Sequence, residues 1–220
     1  MAATPVMFPP SPYYNTHLTE TAKSKGFKIS LKHQLVKVDK DNRKAYFKNL
    51  DDEAGDLVEL DYDFLHICPN QKPHEFISES CFAAANGYFD VDMNLLHNKT
   101  YTNVFSLGDS ANLQPAKTAA ATFSQAPVVV HNILKSMGKV KDWAHFDGYS
   151  CCPIFVGNKE LMLAEFKYGN DNHPTLYPDQ SIPRNLFYLI KREVFPRAFF
   201  NLMPRGMWYG RNSIIPPRFQ

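Results

Sequence analysis

Residues 101–125, YTNVFSLGDSANLQPAKTAAATFSQ, constrain the fold more than any other stretch. A short apolar run at Val104, Phe105 and Leu107 ends in Gly108-Asp109, a polar loop follows, and Ala119, Ala120 and Ala121 open a helix. That order predicts strand, turn and helix, hence an α/β chain. Sheets of this class bind ligands at the carboxyl ends of their strands, where the next helix aims free N–H groups outward. Asp109 is then placed to accept hydrogen bonds from sugar or ribityl hydroxyls. Lys117 and the N–H groups of Thr118 and Ala119 offer a positive pole for an anionic or polarised oxygen. The alanines let a flat ring come close. The same residues also suit a turn-capping Asp, a solvated Lys and a helix packed on a sheet, and pattern alone leaves both readings open.

Composition narrows the class. With 220 residues, 44% of them hydrophobic, the chain can bury a core of one large or two small domains. A formal net charge of +2 gives no global case for nucleic-acid binding. Four cysteines without paired spacing make neither a disulfide framework nor a zinc site, which fits a reducing compartment. The start, MAATPVMFPPSPYY, has neither the basic-then-apolar order of a secretory signal nor the arginines of a mitochondrial presequence. No run of about 18 apolar residues occurs, so no spanning helix is expected.

In chain order, a Pro-rich extended start leads to a helix over residues 13–25, closed by Gly26. Strands are expected over residues 27–31, 35–38, 45–50 and 57–60, with turns at 39–42 and 51–56. Residues 64–67 read as a short apolar strand of a covered parallel sheet, stopped by Pro69. His66, Cys68 and His74 match no ligand spacing; a buried strand cysteine with unrelated histidines is the expectation, and no metal is assigned. The helix after Thr118 should run to Gly138, kinked or split at Pro127. Asp147-Gly148 is a turn, and Cys151-Cys152 precedes an apolar strand that Gly157-Asn158 turns into a second strand over residues 161–168. Spacing alone makes these two half-buried thiols, too close in sequence for an unstrained disulfide.

Residues 184–220 gather the positive excess: Arg184, Lys191, Arg192, Arg197, Arg205, Arg211 and Arg218 stand against one acid, Glu193, among large aromatics such as Phe199, Phe200 and Trp208. This suits an interfacial segment that dips into an anionic bilayer, and equally an amphipathic helix packed on its own domain. A single-stranded nucleic-acid platform is the weaker third reading.

Three stretches resemble one family. "TNVFSLGDSANL" with "KTAAA" resembles the second FAD motif of the two-dinucleotide-domain flavoprotein disulfide reductases, in wording nearest the sulfide:quinone oxidoreductases. Asp147, Gly148, Tyr149, Cys152 and Pro153 match that family's DGY-x-x-CP signature, and "YLIKREVFPRAFFNLMPRGMWYG" resembles its membrane-inserting tail. "FKISLKHQLVKVD", "KAYFKNLDDEAG" and "YDFLHICP" carry the similarity from near residue 13, and it runs to about residue 210.

The resemblance implies a partial FAD/NAD(P)-binding Rossmann-like fold with an amphipathic C-terminal segment. Residues 1–85 would be the C-terminal part of the second dinucleotide-binding-type domain, 86–145 that of the FAD-binding domain, and 146–220 the redox-cysteine and membrane-associating region. It implies Cys152 as a redox-active sulfur, Asp109 on the ribityl chain, Lys117 with Thr118 at the flavin edge, and Gly108 and Ala119 as further cofactor-binding residues. Lys117 and the flavin would lower the thiol pKa of Cys152. Sulfide and a sulfur acceptor would be substrates, ubiquinone the electron acceptor, and the inner mitochondrial membrane the location. The ten glycines include no G-x-G-x-x-G loop for the FAD pyrophosphate, so the chain resembles the C-terminal half of such an enzyme, and FAD binding and turnover by it alone are expected to be weak. Two other readings share some of these features: a type II NADH:quinone oxidoreductase, which needs no Cys152, and an inactive membrane-peripheral relative.

Overall fold

The computed structural model describes residues 1–52, 55–114 and 116–219, and the expected turn over 51–56 lies partly outside them. The chain forms two compact units, residues 1–70 and 71–220. The stretch expected to close the first region, residues 71–85, and both later regions fall in the second unit.

In the first unit, α1 (Pro12–Ser24) starts where the Ser11 hydroxyl caps the Tyr14 N–H and Pro12 fills the first helical position, where no N–H is needed. It ends at Gly26, whose φ of +78° only glycine adopts cheaply. The helix buries Tyr14 and Ala22. Three antiparallel strands follow in the order β1 (His33–Asp39), β2 (Lys44–Asn49) and β3 (Leu57–Asp61). The β1–β2 turn is held by Asp39, whose Oδ1 accepts from the N–H groups of Asp41 and Asn42, as the polar run predicts. Only β2 buries side chains, Ala45 and Phe47.

Two expected strands of this unit do not form. Residues 27–31 lie outside any strand, although Ser30 and Lys32 exchange backbone hydrogen bonds with Ala2 and Thr4. Residues 64–67 are irregular and Phe64 is 85% exposed. An apolar run becomes a covered strand only where neighbours supply both a ladder and a lid. Cys68 is likewise exposed and outside any strand, with its sulfur 3.3 Å from His66 Nε2.

The second unit contains α2 (Glu75–Ser78), then a loop-rich segment, then α3 (Ala119–Ser136). The strand expected at residues 104–107 is reduced to isolated bridges, Phe105 with His97 and, nearby, Phe89 with Ala111. Gly108–Ser110 is a single 3₁₀ turn. Helix α3 is capped by Thr118, whose Oγ1 accepts from the Ala121 N–H, and ends at Gly138 with φ +71°. It is one helix through Pro127, not two. Next comes the hairpin β4 (Ser150–Gly157) and β5 (Glu160–Phe166), paired antiparallel from Ser150↔Phe166 to Gly157↔Glu160. Then a single helical rod comprises α4 (Asn185–Leu189), a π turn (Ile190–Val194) and α5 (Phe195–Asn201). The wide turn ends beside Pro196, which has no N–H for the carbonyl four residues back.

The architecture is therefore α/β, with two small antiparallel sheets and several helices. The core of the second unit joins Val128 and Val129 of α3, Leu161 and Leu163 of β5, Phe187 of α4, and Phe146, Tyr149 and Cys151. Among the described residues no helix is long and apolar enough to cross a membrane.

Candidate functional site

The site is built where the N-terminus of α3 meets the start of β4. Thr118 Oγ1 lies 2.9 Å from Ser150 Oγ, so the residue that caps the helix is also tied to the strand that carries both cysteines. Beside this junction is a cavity of ≈ 1220 Å³. Thr118, Ala119 and Ala120 form its helix end and Cys151 and Cys152 its strand side; the π turn, α5 and residues 208–218 supply mostly apolar wall. The N–H groups of Ala119 and Ala120 precede the helix's own hydrogen-bond ladder, so this end of the cavity is donor-rich.

The residues singled out from the sequence separate into two groups. Thr118, Ala119 and Cys152 share the cavity. Gly108, Asp109 and Lys117 are not among its lining residues. Gly108, at φ +69°, donates its N–H to the buried Gln125 side chain at 2.7 Å, and a Cβ there would come within 3.2 Å of Thr122 Oγ1, so the turn is pressed against α3. Asp109 is exposed. Lys117 does not point outward as a positive pole: its Nζ donates to the carbonyls of Asp109 (2.8 Å) and Ala111 (2.6 Å) and sits 4.2 Å from the centre of the Tyr88 ring. Burial lowers its pKa, partly offset by the nearby Asp109.

The thiols also depart from expectation. Burial pushes Cys152 up to about 11, and no charge among the described residues offsets the desolvation. Burial also raises Cys151 well above its ordinary value, helped by the charge of Glu165 and by Cys152, against an opposing pull from Lys191.

Sequence reasoning passed over the most constrained group of all. Glu165 is 3% exposed and faces Cys151 across the hairpin. Its carboxylate accepts from the Tyr149 hydroxyl, from Thr175 N–H (2.8 Å) and Oγ1 (2.9 Å), and from Gln180 Nε2 (2.7 Å). A lone acid inside the apolar run LMLAEF was the available signal, since a buried carboxylate must be fully hydrogen-bonded to persist.

The opposite wall is fastened to the DGY turn. Arg211 donates to Asp147 Oδ2 at 2.6 Å and lies 5.5 Å from the centre of the Tyr149 ring, and Gly210 approaches α3 so closely that a Cβ would fall 1.8 Å from Ser124 Oγ. Several tail cations expected to face a bilayer also have partners within the protein, although Arg192 and Arg197 stay exposed. Arg184 stacks on Tyr177 at 4.1 Å, and Arg192 and Arg197 pair with Glu193.

No protein-family model matches the chain. Among curated proteins it is similar to the mitochondrial sulfide:quinone oxidoreductases of Schizosaccharomyces pombe (37% identical over 222 residues, 98% of this chain and 48% of that one) and Dictyostelium discoideum (37% over 212 residues, 96% and 46%). The mouse protein of the same name is 34% identical over 197 residues, covering 90% of this chain and 44% of its own. Among solved structures, a chain in the cryo-EM structure of the Tetrahymena thermophila mitochondrial ATP synthase F1Fo composite tetramer matches with TM-score 0.79 and 25% identity, over 98% of this chain and 50% of that one. The sulfide:quinone oxidoreductase of the bacterium Aquifex aeolicus matches in fold, with TM-score 0.70 and 17% identity over 100% of this chain and 52% of that one. The chain is thus a partial homologue of mitochondrial-type sulfide:quinone oxidoreductases and spans about half the length of the curated relatives it matches.

Proposed function

We propose that the chain carries the cysteine and flavin-edge portion of a sulfide:quinone oxidoreductase-type flavoprotein, acting at the inner mitochondrial membrane. The observation that carries this reading is the shared cavity of Cys152 with Thr118 and Ala119, joined through the Thr118–Ser150 contact. The donor-rich start of α3 and the small side chains of Ala119 and Ala120 fit the ring end of FAD. Gly108 and the exposed Asp109 would hold its ribityl chain, with Lys117 bracing the turn between them. The pyrophosphate end finds no G-x-G-x-x-G loop among these residues. When bound, FAD would supply two-electron transfer from sulfur to quinone.

The chain's own residues would do the rest. With FAD as the two-electron acceptor, Cys152 and sulfide would lose two protons and two electrons in forming the S–S bond of a persulfide, and an acceptor nucleophile would then take its outer sulfur and leave Cys152 as the thiolate. Its thiol is protonated near neutrality, so a base or cation from outside this chain must help it ionise. The apolar wall of Phe195, Phe199 and Met203 would exclude water and admit a hydrophobic quinone such as ubiquinone. Exposed Leu186, Leu189, Phe199, Phe200, Ile214 and Ile215, with Arg205 and Arg218, support contact with a membrane surface.

The test is the visible spectrum of the purified chain after FAD is added, with and without a separately expressed N-terminal half of a matched relative. A flavin band bleached by sulfide in wild type and not in Cys152→Ser supports the reading. A flavin band in neither preparation overturns it for this chain. The similarity to a chain of an ATP synthase structure supports a second reading, in which this fold serves as a part of a larger mitochondrial assembly and not in sulfide oxidation. Recovery within such an assembly without any sulfide-sensitive flavin would select it.

A further inference from the structure

We propose that the β4/β5 register, with Glu165 set opposite Cys151, reserves reactivity for Cys152 and keeps its neighbour a silent thiol, so that the adjacent cysteines do not act as a redox couple.

Cys151 and Cys152 both line the cavity, so access alone does not separate them. The ladder does. Pairing is unbroken from Ser150↔Phe166 to Phe155↔Leu161, and in a regular strand successive side chains point to opposite faces. Cys151 opposes Glu165 and belongs to the core cluster with Tyr149, Leu161 and Leu163, whereas Cys152 opposes Ala164. A disulfide needs its two Cβ atoms brought close with a defined torsion, which this arrangement forbids unless that part of β4 leaves the ladder.

On its own face Cys151 meets a carboxylate fixed by four donors. The thiolate is the nucleophilic form, and a fixed negative charge with burial disfavours it. Among the described residues the charged or titratable groups acting on Cys151 are Glu165 from β5, Tyr149 and Cys152 from the turn before its strand and from the strand itself, and Lys191 from the π turn. Of these only Lys191 favours the thiolate, and its effect is the smallest. Cys152 carries no comparable charge opposite it. Glu165 is thus a positioning and selectivity residue acting through Cys151.

The purpose assigned here rests on the sulfur-chemistry reading, but the test needs neither flavin nor sulfide, so the two fail separately. Folded wild-type protein is treated with diamide and digested with trypsin, and the mass of the peptide covering residues 142–159 is read. The expected result is no loss of two hydrogens within that peptide. Iodoacetamide labelling of two single-site variants across pH 7 to 9 should show Cys151 (in Cys152→Ser) reacting at least about tenfold more slowly than Cys152 (in Cys151→Ser). Adding Glu165→Gln to Cys152→Ser should speed labelling of Cys151 and move its pH profile down, while Glu165→Asp should keep it slow. A vicinal disulfide, equal rates in the single-site variants, or a Cys151 rate indifferent to Glu165→Gln overturns the proposal. Should Glu165→Gln not fold, the diamide result and the two single-site rates still decide.

Discussion

The two sheets are both made of sequence-local antiparallel strands, yet they sit in opposite environments. In β1–β2–β3 the outer strands bury nothing and only Ala45 and Phe47 of the middle strand are enclosed. In β4–β5 residues 161–166 are all buried, on both faces of a two-stranded ribbon. A ribbon that narrow cannot enclose itself, so its coverage comes from elsewhere: α3, α4 and the segment after it pack around the hairpin. The lesson is that backbone pattern sets where strands form, while the covering elements decide where low-dielectric chemistry is possible. The cysteines and the buried carboxylate lie on the covered sheet; the other sheet presents exposed lysines and leucines.

This contrast is open to direct attack. Leu161→Ala, at a fully buried site, should cost about 2–5 kcal/mol in denaturant unfolding, against about 0.5 kcal/mol for Leu57→Ala on the half-exposed β3; equal costs would erase the distinction. Gly148→Ala should cost about 1–3 kcal/mol, because a Cβ there lands 2.3 Å from the Tyr168 ring at a φ of +82°. Thr118→Ala removes a helix cap worth about 1 kcal/mol, and hydrogen exchange should rise at the start of α3 and not in β1–β3.

The pH dependence has a definite sign. Cys152 titrates higher folded, near 11, than its ordinary value near 9, so its contribution to stability is complete below 9 and is lost as pH climbs through 11. Thermal melts should therefore fall off less between pH 9 and 11 in Cys152→Ser than in wild type. Smallest of all, Glu59→Gln breaks an exposed pair with Lys44 on the open sheet and should leave the melting curve superimposable on wild type.

What could be read from the sequence was whatever had a local cause. Gly26 closes α1, Thr118 and Gly138 frame α3, and the hairpin turns one residue beyond the expected Gly157-Asn158, at Asn158-Lys159, because caps and turns act within a few residues of themselves. The runs at residues 27–31, 64–67 and 104–107 misled for the complementary reason: an apolar stretch specifies burial, and a strand also needs a ladder partner. The site was legible in part. Thr118, Ala119 and Cys152 do share a cavity, but the inward turn of Lys117 depends on the carbonyls of Asp109 and Ala111, and the Glu165 network draws partners from 10 to 16 residues away.

The π turn at Ile190–Val194 holds the phase of all that follows it. Removing one residue there would restore ordinary winding, and because the wide turn already takes in one extra residue, Phe195 to Phe200 would keep nearly the same phase around the rod axis. The same deletion within the purely α-helical α5 would instead turn the residues beyond it by about 100° and carry side chains lining the cavity to a different side. The wide turn thus acts as a buffer, letting the rod lose a residue without changing which aromatic ring meets the cavity.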